Sequence, residues 1–138
     1  MTIVQKWYNR VMADTYTPTD AMAAAGRRAI KWKEEGKARG AGTIVGWTRA
    51  RQLANKEPLS LDTVKRMYSY FSRHEVDKQG QGFSPGEPGY PSNGKIMWEA
   101  WGGDAGYSWS RAIVERAKRA EKMWAESNFT PFGINKKI

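Results

Sequence analysis

The chain has no cysteine and a single histidine, His74, and none of its apolar stretches approaches the roughly 20 residues needed to cross a bilayer. Without cysteine there can be no disulfide, thiolate nucleophile, iron–sulfur cluster or sulfur-ligated zinc. That absence fits a reducing compartment. The opening residues, MTIVQKWYNRVMADTY, lack the charged-then-apolar order of a signal peptide, so a soluble, non-secreted protein is expected. At 138 residues the chain is one ordinary domain that buries about two-thirds of its unfolded surface, so it needs no covalent staple.

Positive charge is abundant. The formal net charge is +9, a balance that favours capture of polyanions, chiefly nucleic acid. The charge is clustered. Residues 27–51 carry Arg27, Arg28, Lys31, Lys33, Lys37, Arg39, Arg49 and Arg51 against Glu34 and Glu35. Residues 111–122 are again basic, whereas 74–104 hold Glu75, Asp77, Glu87, Glu99 and Asp104 against Lys78 and Lys95. A solubilising surface is the simpler explanation of such charge.

Periodicity predicts helices through most of the chain. Ile3, Val4, Trp7, Tyr8 and Val11 recur at helical spacing. After TYTPTD, Thr19 or Asp20 can cap a helix over about 20–36 with Met22, Ala25, Ala29 and Trp32 on one stripe. A third helix is expected from about Thr43 to Lys56. A fourth is capped by Ser60 and carries Val64, Met67, Tyr68 and Phe71 at i, i+3, i+4 and i+7. Residues 76–93 hold Gly80, Gly82, Gly86, Gly89, Pro85, Pro88 and Pro91, a density that denies regular structure. A short helix near 94–101 ends at Gly102-Gly103, and Asp104 is expected to cap a last helix to about Glu126. The fold class expected is all-α: a compact domain of about five to six helices with one long Gly/Pro-rich ordered loop. It is read as a single domain over 1–138, with a helical extension at 1–19, a core at 20–126 and an irregular tail at 127–138.

Several motifs invite chemistry. WTRARQLANKE, Pro58 and SLDTVKRMYSYFSRH have the lengths of a helix-turn-helix, which would put Lys65 and Arg66 near base edges; Asp62 at the tip would repel phosphate. Two-helix corners are also common in proteins that never touch DNA. The basic segment 27–51 interleaves Trp32 and Trp47, which could stack on bases or simply belong to the core. GYPSNGKI matches part of a phosphate-binding loop, but Ile96 stands where Ser or Thr would hold magnesium and no strand precedes it. A turn and a helix capped by Ser92 or Asn93 explain it better. His74, Glu75 and Asp77 could hold a metal, although a lone histidine at a helix C-terminus is the plainer reading. WEAWGGDAGYSW reads as a structural corner in which glycines allow close approach and large rings fill a core.

Taken together, GWTRARQLANKEPLSLDTVKRMYSYFSRHEVDKQGQGFSPGEPGYPSNGKIMWEAWGGDAGYSW resembles an uncharacterised bacteriophage and prophage domain, found alone or beside head-morphogenesis and protease modules. RARQLAN, RHEVDK, GYPS and WGGDAG carry the likeness, which covers about residues 20–115. It implies a viral context, in the host cytoplasm or the virion, and brings no catalytic residue. The resulting expectation is a non-enzymatic, phage-encoded protein without a cofactor or membrane partner. It would bind nucleic acid through phosphate contacts from Arg27, Arg28, Lys31, Arg49, Arg51, Lys65 and Arg66. The alternative is a virion or head-assembly component packing against capsid or portal proteins or against itself.

Overall fold

A computed structural model describes residues 2–127, so the tail expected beyond that point lies outside the described residues. Six α-helices account for most of them: α1 Ile3–Ala13, α2 Asp20–Glu34, α3 Ile44–Ala54, α4 Leu61–His74, α5 Asn93–Ala100 and α6 Gly103–Ser127. The domain is all-α, as the periodicity predicts. Each of the first five helices starts on a serine or threonine whose hydroxyl accepts from a first-turn amide. The caps are Thr2, Thr19, Thr43, Ser60 and Ser92, at 3.0 to 3.2 Å.

Asp104 does not cap α6. That helix already begins at Gly103, and the Asp104 carboxylate instead accepts from Trp98 Nε1 at 2.9 Å and pairs with Lys78 at 2.7 Å. Two small elements depart from the sequence-based expectation. A 3₁₀ helix, Glu75–Gln79, continues α4 into the loop. Strands β1, Thr15–Tyr16, and β2, Leu59–Ser60, pair antiparallel and tie the segment after α1 to the start of α4. Two-residue strands carry too little pattern to be read from sequence.

The helices form two packed pairs bridged by α5. α2 and α3 run antiparallel: Lys56 meets Asp20 at one end, Arg27 donates to the Ala54 carbonyl, and Lys33 lies over Trp47 at the other end. Gly26 makes this closeness possible, because a Cβ there would sit 2.7 Å from the Ala50 carbonyl oxygen. α4 packs on α6, and α1 lies along α6 with Tyr8 stacked on Trp124 at 5.4 Å. α5 sits against both α2 and α3.

The core is aromatic. Phe71 stacks on Tyr107 at 5.2 Å and meets Trp98 edge-on at 4.8 Å, and Phe83 from the glycine-rich loop closes on the same Trp98 ring. Trp98, Phe71, Met22, Leu53, Met67 and Ile96 are all fully buried. The segment WEAWGGDAG is thus the corner the sequence suggests. At Gly103, with φ +65°, a Cβ would press on Glu99 Oε2.

Candidate nucleic-acid interface

α2, α3 and the glycine-rich turn between them form the most cationic unit of the fold. Arg27, Lys31, Lys33, Arg39 and Arg51 are exposed on it. None of the five has a carboxylate within ion-pair distance among the described residues. Their polar contacts are neutral or aromatic: Arg27 reaches the Ala54 carbonyl at 3.3 Å, Arg51 reaches Thr48 Oγ1 at 3.2 Å, and Lys33 covers the Trp47 ring. Glu35 pairs with Lys37 at 3.3 Å. The hairpin therefore presents an excess of positive charge on a helical support, with Asp20 acting on Arg27 at one end.

The sequence-derived candidates separate in the structure. Arg27, Lys31 and Arg51 share the hairpin. Arg28, half-exposed, turns to α5, where its Nε and Nη2 both donate to Glu99 Oε1 at 2.9 and 2.7 Å. Lys65 and Arg66 lie on α4, with Lys65 3.6 Å from Glu121 of α6. Arg49 is only 6% exposed. Its guanidinium lies 5.3 Å from the Trp101 ring centre, and its Nη1 donates to Gln52 Oε1. Arg49 is therefore not part of the exposed hairpin surface. The sequence does hold a signal for this: Gly46, Arg49, Ala50 and Leu53 follow the i, i+3, i+4, i+7 stripe, and all four are buried.

The helix-turn-helix arrangement does not form. α3 packs chiefly on α2, and α4 packs chiefly on α6, so the two helices do not build a mutually packed corner. Base stacking from the basic segment has no platform either. Trp47 is buried under Lys33 with its Nε1 bonded to the Ala41 carbonyl at 3.1 Å, and Trp32 is half-buried and meets Tyr90 edge-on. GYPSNGKI is a turn leading into α5 with Ser92 as the cap.

His74 ends α4, stacks on Tyr70 at 4.5 Å and places Nδ1 3.1 Å from Asp77 Oδ2. The two border a cleft of about 470 Å³, walled by Tyr70, Met97 and Trp101 and rimmed by Arg73 and Asn93. The Tyr70 hydroxyl is buried without a partner, and burial followed by the Asp77 charge raises its pKa far above the usual phenol range. Among the described residues no three acidic or histidine side chains group as metal ligands do, and no helix is long and apolar enough to cross a membrane. Comparison with protein-family models, with curated proteins and with solved structures finds no match to this chain.

Proposed function

We propose that this protein is a non-enzymatic nucleic-acid-binding protein of phage origin that grips the phosphate backbone with its α2–α3 hairpin. The observation that carries this reading is the set Arg27, Lys31, Lys33, Arg39 and Arg51, exposed and with no carboxylate at ion-pair distance among the described residues. Phosphate contact requires only such charge on a firm support and no base-reading element. Arg66 adds a further exposed cation from α4, whereas Arg28 serves chiefly to hold Glu99. The phage setting rests on the sequence resemblance.

The reading is tested with a duplex of arbitrary sequence in a gel-shift titration at low salt. Retardation that weakens steeply with added salt is expected, and the double variant Lys31→Glu/Arg51→Glu should abolish it while leaving the circular dichroism spectrum unchanged. A duplex that never shifts would remove the proposal. A virion or head-assembly role is the second reading, favoured by Ile44 and Val45, exposed side by side at the start of α3 with Ile44 84% accessible. Mass spectrometry of purified particles separates the two: many copies per virion favour assembly, and absence from particles removes it.

A further inference from the structure

Beside His74, apolar walls, polar side chains and an unused donor meet in one cleft of about 470 Å³, within the roughly 300–1,000 Å³ of small-molecule sites. Two helical rows build it. Tyr70, Arg73 and His74 stand at i, i+3 and i+4 on α4, and Asp77 follows on the 3₁₀ helix. Asn93, Met97 and Trp101 recur at every fourth residue along α5 and its C-cap. The turn at 41–43 supplies the remaining wall.

The polar groups of the cleft are of mixed kind. Asp77 Oδ2 faces His74 Nδ1 at 3.1 Å; a carboxylate only accepts, so in the neutral imidazole Nδ1 carries the proton and Nε2 is left as an acceptor. Asn93 is exposed and brings an amide that both donates and accepts. Arg73 puts a positive charge on the rim, its Nη1 donating to Ser69 Oγ at 2.6 Å. Tyr70 holds a donor that the fold does not use. Its ring is fixed by stacking on His74 at 4.5 Å and on Trp101 at 4.7 Å, and its buried hydroxyl has no partner among the described residues. Such a hydroxyl is costly unpaired, and in a cleft wall it is satisfied when a ligand brings an acceptor.

Donors and acceptors set around apolar walls, with one cation at the rim, complement a flat heterocycle that carries an anion. A nucleotide has that profile: apolar base faces, a base edge that both donates and accepts, and a phosphate. The Asp77 charge, turned to His74, disfavours phosphate at the inner end and so sets the orientation, base inward and phosphate on the rim arginine.

We infer that this cleft binds one nucleotide, with its base against Met97 and Trp101, its base edge on Tyr70, His74 and Asn93, and its phosphate on Arg73. The cleft shares the turn at 41–43 with the basic hairpin. The nucleotide is thus either a free monophosphate or an unpaired one at the end of a strand, and only the second source rests on the nucleic-acid reading.

The experiment titrates the full chain with adenosine monophosphate and guanosine monophosphate at constant ionic strength and follows the Trp101 indole and His74 imidazole resonances. Saturable movement of both is expected, with adenosine and inorganic phosphate each binding about tenfold more weakly than the monophosphate. Tyr70→Phe keeps the ring stacks and removes a hydroxyl that bonds to nothing in the fold, so folding stays intact while nucleotide binding should weaken roughly fivefold to tenfold. Arg73→Gln, at an exposed position, should bring the monophosphate down to the level of adenosine. A duplex with a one-nucleotide overhang, compared with its blunt form, separates the sources: tighter binding that Tyr70→Phe removes assigns the strand end, and equal binding assigns the free nucleotide. Unmoved resonances at millimolar nucleotide, or movement unchanged in both variants, would overturn the site and leave the hairpin reading standing. Saturable nucleotide binding with no duplex binding at any salt would confirm the site and overturn that reading instead.

Discussion

Glu99 and Asp104 lie five residues apart, and the fold uses their charges differently. Glu99 is 5% exposed and joins α5 to α2 through Arg28, itself half-exposed and so partly screened by water. Glu99→Ala should therefore cost about 1–2 kcal/mol, less than a fully buried pair, measured as a lowered urea midpoint. Asp104 is exposed. Burial works to raise its pKa, but hydrogen bonds from Lys78 and Trp98 outweigh it, so the carboxyl lies below its ordinary value. A carboxylate with a depressed folded-state pKa stabilises fully above its unfolded value, about 3.9, and loses that contribution as pH falls through the folded one. Asp104→Asn should accordingly lower stability at pH 7 and leave it nearly unchanged at pH 2, compared by denaturant melts at both pH values. Gly26 is the residue at which size alone matters. Gly26→Ala would drive a methyl into the Ala50 carbonyl, and prising α2 from α3 should cost about 1–3 kcal/mol.

At the scale of elements, start signals and helical stripes are local, and they were legible. Thr19, Ser60 and Ser92 stand where a short side-chain oxygen meets the free amides of a first turn, and each caps the helix expected after it. Ser60→Ala should cost about 1 kcal/mol by denaturant melting, and Ser60→Asp should recover most of it. Asp104 misled for an equally local reason. An aspartate after two glycines has the composition of a cap, but Gly103 takes the first helical position and frees the carboxylate for Trp98 and Lys78. The partner of each helix was less legible. The spacing of α3 and α4 suits a helix-turn-helix, yet Gly26 lets α3 settle on α2, and that closer packing wins. The β1–β2 pairing was silent because it joins residues more than forty positions apart through two residues on each side.

Across the whole molecule, the large rings gather in the core while the α2–α3 hairpin carries both exposed cations and the exposed pair Ile44 and Val45. The aromatic cluster of Phe71, Trp98, Tyr107 and Phe83 locks the glycine-rich loop and α6 to α4, and five exposed cations lie on the α2–α3 hairpin. If five hairpin cations meet phosphates, duplex affinity should fall with a log–log salt slope of roughly −4 to −5, measurable by fluorescence anisotropy between low and physiological salt. A slope near zero would exclude backbone contact by this surface.

Helix content, helix starts and the clustering of basic residues along the chain follow from nearest-neighbour chemistry, which is why composition and periodicity were enough to reach them. Which cations face water is a different kind of fact. Arg27 and Arg49 look alike in a basic segment, but one is exposed on α2 and the other turns inward onto Trp101, the residue that follows α5. Exposure and pairing depend on contacts between residues far apart in the chain, such as Arg28 with Glu99, and those are set when the helices choose their partners.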